Sequence, residues 1–284
     1  MNAPMKPGLY TMSAEAYHAD PAPEPSLSAS IAKILLAQSP YHAMLAHPRL
    51  NGAYKPDHSS RLDLGSAAHA LLLERDDTRI TWVPHDDWRT GAAKALRDEA
   101  QANGRMAVLS KHQPQLEQMV VIARQFLFDS ELGDILDTGT AEQTILWHDA
   151  GLWCRGRCDL VSADRKVILD YKTTDSAAPN AFIRQIGNMG YDLQAQLYTR
   201  GMGAIAQVSP EFIFLVQEIE SPFACSLVGL SNAYKEIGQS KAIRAIQAWG
   251  KCLHSKTWPS YPNNIHYAEP PAWLVNEHIG VGDL

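Results

Sequence analysis

Cysteine is scarce in this chain: the four, at positions 154, 158, 225 and 252, are too few and too scattered for the disulfide framework of a small secreted domain. A reducing, intracellular setting fits that usage. Long apolar runs are missing as well. No stretch approaches the roughly 18 uninterrupted apolar residues of a membrane span, and the opening Met1-Asn2-Ala3-Pro4-Met5-Lys6-Pro7 lacks the apolar segment of a secretion signal. The expectation is a soluble, cytoplasmic protein with no membrane partner. An excess of positive charge is also absent: 25 Lys and Arg stand against 31 Asp and Glu, a formal net charge of −6. That disfavours coating of nucleic acid through a general basic surface and leaves room for one local basic site. No internal repeat or low-complexity tract occurs.

What remains is a globular composition, 45% hydrophobic over 284 residues, enough for one large core or two small ones. Pro21, Pro23 and Pro25 make 20–25 an extended linker. A helix follows, capped by Ser28 or Ser30 with Ile31, Ile34, Leu35 and Leu36 on one face, and Ser39-Pro40 ends it and starts another. Residues 63–74 read as a short helix with Ser66 near its start. Its Ala67, Ala68 and Ala70 allow close approach of another backbone, and His69 is the polar group of its interior. Residues 90–128 read as mostly helical, interrupted at Asn103-Gly104 and restarted near Ser110. The period then becomes alternating, predicting strands over 140–148, 152–162 and 166–173. A helix over 191–202, strands over 211–218 and 224–230, a long helix over 231–251 and a tail rich in Pro and aromatics follow. This order predicts an α/β (α+β) fold, a central mixed sheet with an antiparallel hairpin near its middle, flanked by helices.

The hairpin carries the chemistry. A turn on Asp164 and Arg165 sets Asp159 opposite Asp170, on one face, with Cβ atoms about 4.5–5.5 Å apart. Such carboxylates repel unless they share a cation. Their neighbours Leu160, Val161, Val167, Ile168 and Leu169 are apolar on both faces, so the strands are covered on both sides, and buried like charges need a raised pKa or a metal. Lys172, two residues beyond Asp170, shares their face and can orient water or stabilise negative charge. Oxygen ligation with open positions suits Mg²⁺ or Mn²⁺, and the chemistry implied is phosphodiester hydrolysis.

Gly156-Arg157-Cys158-Asp159 followed by Asp170-Tyr171-Lys172-Thr173-Thr174 resembles the core signature of the PD-(D/E)xK nucleases, in the branch of RecB, RecE (exonuclease VIII) and lambda exonuclease. Gly65-Ser66-Ala67-Ala68-His69 resembles the upstream helix of that branch, which makes His69 a metal ligand beside Asp159 and Asp170. Gln194 and Tyr198 match its QxxxY motif and lie one helical turn apart. By the same resemblance Glu142 is the acidic residue on the preceding strand and Tyr171 offers its main-chain carbonyl to a metal. The likeness extends from Tyr10–Ser30 to Trp258-Pro259-Ser260-Tyr261. It implies one restriction-endonuclease-like domain over 1–284: an N-terminal helical extension at 1–60, the nuclease core at 61–250 and a C-terminal tail at 251–284. Asp170 departs from the Glu of many relatives. Some members of the wider family hold an iron–sulfur cluster; Cys154 and Cys158, about 13 Å apart on a strand, do not suit one.

The resemblance implies a Mg²⁺-dependent exonuclease, with Mn²⁺ as a substitute, degrading one strand of linear double-stranded DNA from its 5′ end in a bacterial or phage-infected cell. The 3′ overhang would pass to a single-strand annealing protein for recombination, and relatives form homo-oligomeric rings, trimers or tetramers. Lys172, with Arg61, Arg155, Arg157 and Arg184, supplies a local positive track for phosphates. The alternatives are a structure-specific endonuclease of the same fold and a non-catalytic DNA-end-binding recombination protein.

Overall fold

A computed structural model describes residues 5–55 and 64–278. In chain order the elements are β1 (Gly8–Thr11), α1 (Ala14–His18), α2 (Ala29–Ala37), α3 (Pro40–Leu45), α4 (Leu64–His69), β2 (Ile80–Val83), α5 (Gly91–Ala102), β3 (Met106–Leu109), α6 (Gln113–Phe128) and α7 (Ile135–Thr138). There follow β4 (Thr140–Asp149), β5 (Leu152–Val161), β6 (Val167–Thr174), α8 (Pro179–Met189), α9 (Tyr191–Ala206), β7 (Glu211–Glu218), β8 (Cys225–Gly229), α10 (Asn232–Ser255) and α11 (Ala272–His278). No helix among the described residues is long and apolar enough to cross a membrane.

Six strands form one sheet in the order β1-β4-β5-β6-β7-β8. Every neighbouring pair is antiparallel except β6 and β7. A parallel pair cannot be closed by a tight turn, and here α8 and α9 carry the chain across, bent apart at Gly190, whose φ of 70° favours glycine. The sheet is covered on both faces. On one side α2, α8, α9 and α10 pack Ile31, Phe182, Leu197 and Trp249 against Trp147, Val161, Ile168 and Phe214. On the other, α4 and α6 pack Leu116, Met119 and Ala68 against Leu160, Leu169 and Leu215. Alternating sheet residues therefore serve two cores, as apolar runs with no polar face require. Helices α9 and α10 approach closely at Gly238, where an added Cβ would lie 2.4 Å from the Asp192 carbonyl oxygen.

Several expectations change. The stretch 90–128 is helical on both sides of its expected interruption, but the gap is not merely a turn: Met106–Leu109 is a strand, pairing in parallel with Ile80–Val83 to make a small second sheet beside α5. Four-residue strands show too little alternation for periodicity to find. Ser28, rather than Ser30, caps α2, accepting a bond from the Ile31 amide at 3.3 Å. The described part of the expected N-terminal extension, 5–55, is more than helical, because β1 pairs with β4 at the sheet edge and Leu27 and Ile31 sit in the main core. Position 250, expected to close the core, lies inside α10, and Trp258 beyond it packs edge-on against Trp249 at 5.1 Å.

Candidate active site

The hairpin register is as the turn dictates: Leu160 opposes Leu169 and Val161 opposes Ile168, so the next opposed positions are Asp159 and Asp170. The ladder ends there. On the other side of β5 the pairs Ala141–Leu160 and Gln143–Cys158 bracket Glu142 and Asp159, which do not pair through their backbones. Glu142 has a φ of 54°, in the left-handed region that a non-glycine residue seldom adopts. Three carboxylates thus stand in one row across β4, β5 and β6, at the row where the sheet's own hydrogen bonding lapses. The freed Tyr171 amide donates to Asp159 Oδ2 at 2.9 Å.

His69 closes the group from α4. It is the last residue before the helix widens into a π-helical turn over Ala70–Glu74, an irregularity frequent at functional sites. Its Nδ1 lies 3.3 Å from Glu142 Oε1 and its Nε2 3.2 Å from Asp159 Oδ2. One ligand atom from each of His69, Glu142 and Asp159 lies within 4.8 Å of the others. Burial alone would lower the His69 pKa; Asp159, Glu142 and Asp170 outweigh it and push it up to about 9. Burial likewise works against the Asp159 anion, yet His69 and Lys172 hold its carboxyl below the ordinary value. Glu142 is raised by burial, against His69 and Arg157.

Asp170 sits deeper, 1% exposed. Lys172 pairs with its Oδ2, and the Gln194 amide donates to its Oδ1 at 2.8 Å. Burial is the main reason its pKa rises to about 6, with Lys172 opposing. Lys172 is itself raised, Asp170 and Asp159 overcoming its desolvation, and its ammonium lies 5.3 Å from the centroid of the Tyr191 ring. Of the expected ligands, His69 and Asp159 converge with Glu142, and Asp170 is engaged by Lys172 and Gln194 beneath them. The Tyr171 ring stacks near His69, and its hydroxyl donates to Gln217. Tyr198, one turn after Gln194, is buried against Gly156, where a Cβ would come within 2.8 Å of its ring.

These groups open onto a cleft of about 760 Å³. Lys33, Arg79, Arg157 and Lys172 line it, with His18 and His69, against Glu74, Glu142 and Asp159, and three of these cations are paired: Arg79 with Glu74, Arg157 with Glu142 and Lys172 with Asp170. Lys33 and Arg79 were not foreseen. Lys33 is the lone charge in α2, whose other residues are apolar except Ser30, a detectable signal, whereas Arg79 lies in a short turn with no pattern around it. Of the expected track, Arg157 lines the cleft and Arg184 is exposed on α8 outside the lining. Arg61 falls outside the described residues. Arg155 requires correction: it is 4% exposed, bound to Ser26 O and Oγ at 2.7 and 2.8 Å and paired with Asp20 at 3.3 Å, so no phosphate in the cleft can reach it. Arg155 and Arg157 share a face of β5 by strand alternation, yet the Asp20–Ser28 segment covers the first of them.

An imidazole and two carboxylates form a mixed nitrogen and oxygen donor set that fits a divalent cation. All four cysteines are free, with Cys154 and Cys158 buried in the core. A family model described as a PDDEXK-like domain of unknown function, DUF3799, matches residues 28–271. Among solved structures, a protein of Eubacterium rectale provisionally described as an exonuclease aligns over 96% of this chain and all of its own, at 13% identity and a TM-score of 0.59. That likeness concerns the fold. A second structure, SSO0001, aligns over 54% of this chain and 81% of its own at 14% identity, with a TM-score of 0.27. No curated protein matches.

Proposed function

Because the chain belongs to the DUF3799 family of PDDEXK-like domains, we propose that it is a divalent-metal-dependent deoxyribonuclease acting on linear double-stranded DNA as an exonuclease. The observation that carries this reading is the row Glu142, Asp159, Asp170, flanked by His69 and Lys172, whose first two members open on a cleft also lined by Lys33, Arg79 and Arg157. A binding module has no use for carboxylates gathered in a largely buried row against their own repulsion.

His69, Glu142 and Asp159 would hold the cation, Mg²⁺ or Mn²⁺. When bound, such an ion polarises a phosphoryl oxygen and acidifies water. This chain's own groups supply the rest. Lys172, fixed between Asp170 and the Tyr191 ring, presents an ammonium that can orient a water molecule and offset charge growing on the phosphate. Gln194 keeps Asp170 directed at Lys172 by occupying its other oxygen. Lys33 is placed to take a flanking phosphate, whereas Arg79, on the same lining, is already paired with Glu74. Cutting from the 5′ end, hand-over of a 3′ overhang to a single-strand annealing protein, and assembly into a ring of three or four copies complete the reading; these rest on the resemblance of motifs alone.

The test is digestion of linear duplex labelled at its 5′ or 3′ end, with Mg²⁺ and with EDTA, beside Lys172→Ala and a closed circular control. Release of 5′ label from linear DNA alone, lost with EDTA and with the substitution, is the expected result. Cutting of circles would make the protein an endonuclease, and no cutting with Mg²⁺ or with Mn²⁺ in its place would leave a DNA-end-binding protein.

A further inference from the structure

Arg157 stands two residues before Asp159 on β5, with its side chain 11% exposed. It is engaged twice. Its Nε donates to Glu142 Oε2, and its Nη1 donates to the Met12 carbonyl at 2.8 Å, at the end of β1 just before the Ser13 cap of α1. The Glu142 carboxylate is thereby divided. Oε2 belongs to Arg157, and Oε1 faces His69 in the ligand set.

The backbone around Glu142 does not fix that direction by itself. Its neighbours on either side pair with β5 and Glu142 does not, while its φ of 54° departs from the strand. A free glutamate there has three rotatable side-chain bonds and open cleft in front of it. The planar guanidinium, tied at its far edge to a main-chain carbonyl, removes that freedom. A phosphate would have to compete with both of these bonds to recruit Arg157.

We infer that Arg157 is a positioning residue, which holds Glu142 so that its second oxygen stays in the metal set, and that it is not a phosphate contact. The inference rests on the metal-dependent reading above. Through the Met12 carbonyl the same guanidinium ties the N-terminal segment to the metal site.

The experiment is calorimetric titration of the full chain with Mn²⁺, without DNA, for the parent, Arg157→Met, Glu142→Gln and the double variant, with near-UV circular dichroism to verify folding. Loss of an outer partner of a metal ligand weakens metal binding about 10–100-fold, and that is the expectation for Arg157→Met. In the Glu142→Gln background the same change should add less than about twofold, since a residue acting through Glu142 has nothing left to position. If the Met variant does not fold, Arg157→Lys decides: binding about three- to tenfold weaker supports the inference, because an ammonium cannot reproduce the two-edged contact. Parent-like Mn²⁺ affinity in Arg157→Met, or an equal loss with and without Glu142, overturns it. So does a parent-like Mn²⁺ affinity in a variant whose DNA binding loses about one unit of salt slope, the mark of a phosphate contact. Failure of the parent chain to bind Mn²⁺ would instead bring down the metal-site reading, and this inference with it.

Discussion

Replacing Arg155 by Met should cost the fold heavily while leaving DNA binding untouched. Asp20 has no exposed side-chain surface and is held by five groups: the Ser26 amide at 2.9 Å, the Ser26 hydroxyl at 2.6 Å, His47 at 3.2 Å, Arg155 at 3.3 Å and, more distantly, Arg49 at 3.9 Å. Met fills most of the arginine's volume but removes its charge and its bonds to Ser26. Breaking a buried pair from one side costs about 3–5 kcal/mol, because the remaining ion stays desolvated. At roughly 2–4 °C per kcal/mol the midpoint should fall by about 6–20 °C. Urea denaturation at pH 7 followed by circular dichroism measures the loss. Arg155→Met with Asp20→Asn should be less destabilised than the two single losses predict together, since no orphaned charge is then left behind. The pH dependence has a definite sign. Burial pushes the Asp20 carboxyl up, but His47, Arg155 and Ser26 outweigh it and hold it below 3.8. A depressed carboxyl stabilises above its unfolded value, so the penalty should be full at neutral pH and shrink as pH falls below about 4. A loss under about 1 kcal/mol, or a reduced salt slope in DNA binding, would refute the placement of Arg155 as a buried structural ion.

Three further outcomes are expected. Asp159→Asn should abolish thermal stabilisation by Mn²⁺, worth about 2.7 kcal/mol in the parent at a hundred times its Kd, along with digestion; scanning fluorimetry with and without metal reports it. Lys172→Met should keep Mn²⁺ affinity within about threefold while lowering the rate of label release at least 100-fold, because the lysine touches Asp170 and no member of the ligand trio. Gly238→Ala should lose about 2–3 kcal/mol in urea unfolding, as its methyl meets a backbone carbonyl that cannot move aside without parting α9 from α10.

Much of this fold was legible where patterns were long. The strands over 140–148, 152–162, 166–173 and 211–218 lie within two residues of the observed ones, because alternation between two buried faces leaves a clear trace. Asp159 and Asp170 could be opposed because a tight turn leaves little choice of register. Elements with weak local signal went unread: β1, β2 and β3 have four residues each and owe their form to their partners. Tertiary placement was also hidden in the arginines. Arg155 and Arg157 look alike on their strand, yet one is enclosed by the Asp20–Ser28 segment and the other faces the cleft. The prominence of Glu142 in the ligand trio depends on one left-handed residue, which no spacing rule anticipates.

The attachment of Ser26 and Leu27 to β5 also sets a schedule for synthesis. Ser26 is 129 residues from Arg155, and Leu27 bonds Trp153 and Arg155 through its backbone. At about 5–20 residues per second, the N-terminal segment waits roughly 6–26 s before its docking strand has been made. Throughout that interval Ile31 and Leu35 have no sheet to cover, so this segment reaches its place only after β5 has been made.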